Sequence, residues 1–548
     1  MPNAKGVKTA SAIALIVLGV SRSAFGIRHV ALPELGAIDF PTSAESPEAQ
    51  QHFLRGVAWL HNFGYEEAID EFQAAQRIEP GFAMAYWGEA MARDQPVWFT
   101  EDLPAARLAL ARLARSPAVR AARAPTVREQ AYLAAVDVLF GEGTKDQRDG
   151  AYAEAMRRVS ERFPRDHEAA VFYALALLGT VPYGGYDLET RERAGAIASA
   201  VFRANPRHPG AAHVLIHAND DREHAHLALP AARAYARIAP TSSHALHMPA
   251  HIFLQLGYWD EAVASDEASF AASESRVKRR NLPITHRDYH SLSWLEYEYL
   301  QQGRYDAARA TWKPIEEAVR FAQAAASEKK SGPAGEHAHS GGGPDAMSLR
   351  NDLATMRAFF VLETRRWDLM KGSSRFDNVD ELFAVGMSAA RLGDVERAQA
   401  ALELFQKFAR EERDPSRQKL VAIMEAELAA LLHLHRGDRA AMIASMERAT
   451  AIENAVSRPV GRPHPVKPSH ELYGELLLEI GRPNDAAAQF DRALWRGANR
   501  ALATLGLARA RAATGDKAGA RESYKRLLQI WAHADPSPEL EEARRGVQ

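Results

Sequence analysis

The chain has 548 residues, of which 47% are hydrophobic and 25% are charged, as in an ordinary folded protein. Because single cores stop growing near ~250–300 residues, this length predicts two globular domains or one elongated array. The formal net charge of -2 argues against nucleic acid or an anionic membrane as partner, and the absence of cysteine excludes disulfides, thiolate metal ligands and cysteine nucleophiles.

The first segment of the chain has the pattern of a secretory signal. Lys5 and Lys8 precede a short apolar stretch, and a small-x-small cleavage motif follows at 24–26. The apolar stretch is shorter than the ~20 residues that a membrane-spanning helix needs, and no later segment has that pattern. The sequence therefore predicts a signal peptide at residues 1–26 and a periplasmic or secreted mature chain that starts near Ile27.

A repeated pattern of small and aromatic residues follows. Its first copy has small residues where two helices would approach closely, aromatic residues that fill the gap between them, and a proline that ends the second helix. These positions are Gly56, Trp59, Ala68, Phe72, Ala75 and Pro80. Further copies begin their second helices after Gly257, Gly303, Gly393, Gly481 and Gly515.

These residues resemble the tetratricopeptide repeat, a helix–turn–helix unit of ~34 residues. The resemblance is weaker between Pro125 and Pro206, where helical patterns still end at prolines. It implies an all-α fold, a TPR-like α-solenoid of helix–turn–helix repeats in two arrays, at 46–321 and 349–534. Since no segment alternates with period two, strands are not expected. A segment at 322–348, rich in glycine, serine and lysine, predicts a flexible linker between the arrays.

Four other stretches resemble a group of exported bacterial tetratricopeptide proteins of undefined role. That resemblance implies a fold and an export route but no reaction. The stretches are 84–88 (MAYWG), 172–179 (FYALALLG), 247–251 (HMPAH) and 288–292 (DYHSL).

The histidines carry the strongest functional signal. Ten of the 21 fall between His208 and His290. Three pairs are four residues apart, a spacing that puts two imidazoles on one face of a helix: His213 with His217, His247 with His251, and His286 with His290. The first two pairs are themselves 34 residues apart, so they occupy equivalent places in consecutive repeats.

In the tetratricopeptide fold that this chain resembles, first helices line a concave groove, where these side chains would converge. We therefore predict a transition-metal site made by His213, His217, His247, His251 and His290. Neutral imidazole suits Zn, Cu and Fe alike, so the sequence leaves the identity of the metal open.

Neighbouring residues are assigned by their position. Asp220, Asp221 and Asp288 are candidates to orient the ring N–H groups, and Asp288 could also ligate directly. His224, His226 and His244 are interpreted as surface or loop residues, His61 as a cap or turn residue, and the basic run 276–280 as a solvated helix end.

Three functions remain open at this point. The leading hypothesis is an exported binding protein whose groove holds a transition metal and receives a peptide or protein segment. The second is a metalloenzyme, an oxidase or a hydrolase, that uses the same histidines with Asp288 or Tyr289 as acid–base group. The third is a metal-free scaffold for protein–protein interaction whose histidines are structural.

Overall fold

The computed structural model describes residues 20–22, 28–181, 185–331, 343–456 and 460–548. The predicted signal peptide lies outside the described residues except for 20–22. Among the described residues, no helix combines the length and apolar character that crossing a membrane requires.

The described chain is an all-α solenoid of antiparallel helices, in which each helix packs mainly against its neighbours along the chain. The helices of the first half are α1 Pro47–His61, α2 Tyr65–Ile78, α3 Ala83–Met91, α4 Leu103–Leu113, α5 Pro117–Ala122, α6 Val127–Leu139, α7 Lys145–Arg162, α8 His167–Gly179, α9 Leu188–Ala204, α10 Pro209–Ala218, α11 Ala225–Ile238, α12 Ser243–Leu256 and α13 Trp259–Arg280.

The second half continues the same architecture. Its helices are α14 Tyr289–Gln301, α15 Tyr305–Ala310, α16 Trp312–Ser331, α17 Ala346–Thr364, α18 Val379–Leu392, α19 Val395–Glu411, α20 Pro415–His435, α21 Arg439–Asn454, α22 Ser469–Glu479, α23 Pro483–Arg496, α24 Ala501–Ala513, α25 Lys517–Ile530 and α26 Pro538–Gly546.

Short strands are present, contrary to the expectation from the sequence. β1 Val20–Arg22, β2 Arg28–Leu32 and β3 Gly36–Ile38 form an antiparallel sheet, and β4 Asp94–Gln95 pairs with β5 Thr100–Glu101. Strands of two to five residues are too short for an alternating apolar and polar pattern to be recognised in the sequence.

The repeat packing depends on one buried phenylalanine between two glycines. The Phe72 ring of α2 lies against Gly56 of α1 and Gly88 of α3, where an added Cβ would come within 2.7 Å and 2.2 Å of the ring. Only glycine leaves that space, so the three helices approach closely. The same arrangement recurs in the second half about Phe490, between Gly474 and Gly506.

The first half of the solenoid turns back on its own beginning. α1 packs against α10, and the β3 residue Ala37 donates its N–H to the Arg207 carbonyl at 2.9 Å. Arg276 of α13 forms ion pairs with Glu66 and Glu67 of α2 at 2.7 Å and 2.6 Å. Part of the basic run 276–280 therefore forms ion pairs with α2 instead of facing solvent alone. The sequence could not indicate this, because the acidic partners lie ~200 residues away.

Helices occupy most of the described residues of the predicted linker segment 322–348. α16 continues to Ser331 and α17 begins at Ala346, while 332–342 lie outside the described residues. Buried ion pairs join helices within the second half. Arg500 bonds Glu363 at 2.6 Å and Glu471 at 2.9 Å, and it also donates to the Tyr297 hydroxyl at 2.6 Å.

Candidate metal centre

Three alternate helices, α10, α12 and α14, carry the clustered histidines. α10 begins with Pro209 in its first turn, after His208, whose side chain accepts the Ala211 N–H at the cap. α12 begins after Ser242, whose hydroxyl accepts the Ala245 N–H, and it ends at Gly257 in a left-handed conformation. These caps fix the start of each helix and therefore which face each histidine occupies.

The first triad consists of His213, His217 and His244. The Nε2 atom of His213 lies 3.1 Å from Nε2 of His217 and 2.9 Å from Nε2 of His244. His213 is buried with 1% exposure, and the other two rings are half-buried. Three imidazole nitrogens therefore face one point from two helices.

The interpretation of His244 as a surface or loop residue is wrong. The Ser242 cap places it in the first turn of α12, on the same face as His247 and His251, which follow three and seven residues later. Pro249 lies inside this helix, after its first turn.

The second triad consists of His247, His251 and His290. The Nε2 atoms of His247 and His251 are 3.1 Å apart, and the ring of His290 on α14 lies 4.8 Å from that of His247, centroid to centroid. One ligand atom from each residue can be chosen so that all three lie within 4.8 Å of one another. His247 and His251 are buried, whereas His290 is exposed.

The five predicted residues thus do not converge on one point. The structure divides them between two adjacent triads and adds His244 to the first. His217 and His251, one from each triad, have ring centroids 6.1 Å apart. His286, the partner of His290 in the sequence pattern, is not among the residues of either triad.

Three triad rings are held in orientation by a contact at Nδ1, the ring nitrogen that faces away from the triad. His213 Nδ1 donates to the carbonyl oxygen of His61 at 2.7 Å. His247 Nδ1 contacts Asp266 and His251 Nδ1 contacts Asp220, each at 2.6 Å. A neutral imidazole that donates from Nδ1 has its lone pair on Nε2, which is the atom that faces the triad. This is the arrangement that outer-shell carboxylates and carbonyls give to metal-binding histidines.

The predicted aspartate partners have different outcomes. Asp220 contacts His251 as expected, whereas Asp221 bonds the Nδ1 atom of His224, 2.9 Å away. Asp288 caps α14 by accepting the Ser291 N–H, and no described hydrogen bond joins its carboxyl group to the ring of a triad histidine. The Tyr289 hydroxyl donates to the Ile284 carbonyl at 2.8 Å. Neither Asp288 nor Tyr289 therefore has the contacts of an acid–base group at the triads.

Burial favours the neutral form of several triad imidazoles. It lowers the pKa of His213 to about 3, and burial together with neighbouring imidazoles lowers the pKa values of His217, His244 and His247. Behind His247, burial and the nearby carboxyl groups of Glu298 and Asp288 raise the pKa of Asp266. A neutral imidazole is the form that ligates a metal, so these rings need little or no deprotonation near neutral pH.

The nitrogen spacing suits a metal ion. Imidazoles bound to a tetrahedral metal at about 2.0–2.1 Å hold their nitrogens about 3.4 Å apart. The Nε2–Nε2 distances of 2.9–3.1 Å are slightly shorter than this, so a small outward movement of the rings would admit an ion. Three ligands also leave one coordination position open for water or a substrate.

Aromatic side chains cover both triads. The Phe63 ring lies 4.2 Å from His213 and 5.1 Å from His244, and Trp294 lies 4.4 Å from His251, all between centroids. A cavity of about 480 Å³ opens beside the first triad, with His244 and Phe63 in its lining. Trp59 and Tyr65 also line it, and most of the remaining wall is polar or charged, so the cavity gives small molecules a route to His244.

A third group, His61, Glu168 and His208, is fully buried but differs from the triads. The Glu168 carboxylate contacts His61 Nε2 at 2.6 Å and His208 Nε2 at 3.2 Å. Nδ1 of His208 accepts a backbone N–H, so its Nε2 carries the proton and has no lone pair for a metal. The two rings lower the pKa of Glu168. We interpret this group as a buried hydrogen-bonded network, and His61 is part of the core rather than a turn residue.

Several residues of the site were not predicted. The sequence analysis did not identify Asp266 as a partner of His247, which it follows by 19 residues. In a later repeat His470 contacts Gln489, also 19 residues further along the chain. Because this separation is set by how the two antiparallel helices of one repeat pack, it could have identified Asp266. Phe63 and the His61 carbonyl lie ~150 residues from His213 and carry no local signal.

Comparisons with known proteins give no family. No protein-family model matches the chain, and no curated protein does. Among solved structures, the chain is similar to a human IFIT1 dimer with PPP-AAAA, at 14% identity and a TM-score of 0.32 over 89% of this chain and 92% of that one. It is also similar to the APC/C hetero-tetramer Cut9–Hcn1, at 12% identity and a TM-score of 0.30 over 92% and 97% of the two chains. Yeast Tom70 is a third, at 11% identity and a TM-score of 0.29 over 91% and 94%. At these identities and TM-scores, none of the likenesses transfers a ligand or an activity.

Proposed function

We propose that this chain is an exported solenoid protein that binds transition-metal ions in its two histidine triads. Zn, Cu and Fe all accept imidazole ligands, and each triad offers three. The ligands would be His213, His217 and His244 in the first triad, and His247, His251 and His290 in the second.

One observation carries this proposal, the close contact between Nε2 of His247 and Nε2 of His251. The two Nε2 atoms lie 3.1 Å apart, while the Nδ1 atom of each ring contacts a buried aspartate at 2.6 Å. At that distance the two nitrogens either share one proton or coordinate one cation. Metal coordination occupies both Nε2 lone pairs and leaves both Nδ1 contacts in place.

The test is the metal content of the tag-free chain from Ile27 onward, measured by elemental mass spectrometry. His244→Ala and His290→Ala each remove one ligand whose ring no described hydrogen bond joins to a carboxylate, so neither variant strands a buried carboxylate. The matched control is His226→Ala, which removes an exposed histidine outside both triads.

We expect up to two metal ions in the parent and in the control, and at least one fewer in each single variant. A parent that holds no metal after incubation with Zn, Cu and Fe salts would leave the metal-free scaffold as the function. Unchanged metal content in both variants would place the ions elsewhere in the molecule.

A metalloenzyme is the second candidate, favoured by the cavity beside His244. A three-histidine set with an open position allows a bound water to be activated or a substrate to be polarised. Oxidase and hydrolase substrates should be screened with the metal-loaded parent, with His244→Ala as control. Turnover that survives His244→Ala would argue against this site as the catalyst.

Partner and location remain part of the proposal. A peptide or protein segment is the partner that a solenoid surface suits, and nucleic acid is not expected at a net charge of -2. Export is supported by the signal pattern at residues 1–26. Mass spectrometry of the protein from the cell envelope or culture medium should find a chain that begins near Ile27, whereas an intact N-terminus in the cytoplasm would contradict export.

A further inference from the structure

We propose that the two triads form a single dinuclear copper centre that binds dioxygen between its two ions. This inference rests on the proposed metal binding, and it adds the nuclearity, the metal and the ligand. Its starting point is the arrangement of the triads on a shared helix.

α12 contributes to both triads. His244 points to the first, and His247, less than one turn later, points to the second. His217 and His251 bring the triads together, with ring centroids 6.1 Å apart. The two sets are therefore adjacent, as in dinuclear sites, in which two ions can act on one small molecule.

The ligand set favours a metal of low charge. Six imidazole ligands supply no negative charge, and three of the six rings, those of His213, His247 and His251, are buried. Two divalent ions would bring four positive charges into this environment, while two Cu(I) ions bring two. Because uncompensated buried charge is costly, the site suits a pair of Cu(I) ions better than a pair of Zn(II) ions.

The open position on each ion defines the reaction with dioxygen. Each Cu(I) gives up one electron and becomes Cu(II), and the two electrons reduce O2 to peroxide, which binds both ions. No proton or external reductant is needed for this step. The cavity that reaches His244 provides the route by which dioxygen enters, and the Phe63 ring shields His213 from bulk water.

The test uses the full mature chain. Protein is loaded anaerobically with Cu(I), its copper content is measured, and it is then exposed to air while optical absorption and electron paramagnetic resonance are recorded. We expect two copper ions per chain, a new near-ultraviolet charge-transfer band from bound peroxide, and loss of most of the copper resonance signal because the two Cu(II) spins couple. His244→Ala and His290→Ala should lose the band, and the Cu(II) that each still binds should be fully visible by resonance.

The outcomes separate the two proposals. Two copper ions that both give ordinary, uncoupled Cu(II) signals after exposure to air would overturn the dinuclear centre and leave the metal sites standing. A parent that binds no copper or other transition metal would overturn both. The control His226→Ala should behave as the parent, and loss of the band in this variant would show that the signal does not arise from the triads.

Discussion

Asp220→Asn should weaken metal binding in the second triad without changing a ligand. One carboxylate oxygen of Asp220 lies 2.6 Å from His251 Nδ1, and the other accepts from the Gln255 amide at 3.3 Å. Asparagine keeps the size of the side chain and can still accept from the ring, but it removes the negative charge that makes this ring a strong donor to a cation.

The size of the effect follows from that geometry. Loss of an outer-shell partner of a ligating histidine typically costs 10–100-fold in metal affinity, or about 1.4–2.8 kcal/mol. Asp220 is buried with 1% exposure, so solvent does not screen the lost charge, and we expect the upper half of this range.

The assay is a competition titration of Zn(II) against a chromophoric chelator, and the matched control is Asp221→Asn. Asp221 is adjacent in sequence but bonds His224, outside both triads. Asp220→Asn should release one of two ions at lower chelator concentration, whereas Asp221→Asn should match the parent. Equal affinity in all three proteins would refute the assigned role of Asp220, and equal weakening by both variants would refute its specificity.

Three further predictions concern stability. The metal-free protein should lose stability as pH falls from about 7.5 to about 5.5, because burial lowers the pKa of His213 to about 3 in the folded state, whereas histidine in the unfolded chain is protonated near pH 6.5. His213 should contribute about 1.4 kcal/mol of this loss. Urea denaturation of His213→Gln should show a smaller pH dependence by that amount. Arg500→Met removes the buried ion pairs to Glu363 and Glu471 and should cost about 3–5 kcal/mol, seen as a lower Tm. An unchanged Tm would contradict the role of these ion pairs in the packing of the second half. Gly88→Ala should cost about 1–3 kcal/mol of stability, because its Cβ would meet the Phe72 ring. Gly150→Ala, inside α7, should stabilise the protein by about 0.5–1 kcal/mol, because its Cβ would meet no atom within 4 Å. A Gly88→Ala variant more stable than Gly150→Ala would refute the packing argument.

The helical-repeat fold could be predicted because its signals are local. Gly56, Phe72 and their later equivalents recur at fixed spacing, and the contact between them lies within one or two consecutive repeats. The neighbourhood of His213 and His247 could be predicted for the same reason, since residues one repeat apart lie on adjacent equivalent helices.

The parts that escaped prediction depend on helix starts and on long-range closure. His244 joins the first triad only because Ser242 caps α12 several residues before Pro249. Phe63 and the His61 carbonyl reach His213 only because the solenoid turns back on itself. Neither the exact cap nor the curvature of the array can be obtained from repeat spacing alone.

The most direct test of the central claim is anomalous diffraction from crystals of the metal-loaded chain, recorded at the absorption edge of the bound metal. The account predicts two peaks, one among the Nε2 atoms of His213, His217 and His244, and one among the ring nitrogens of His247, His251 and His290. Peaks confined to other histidines, or none at either triad under saturating metal, would contradict it.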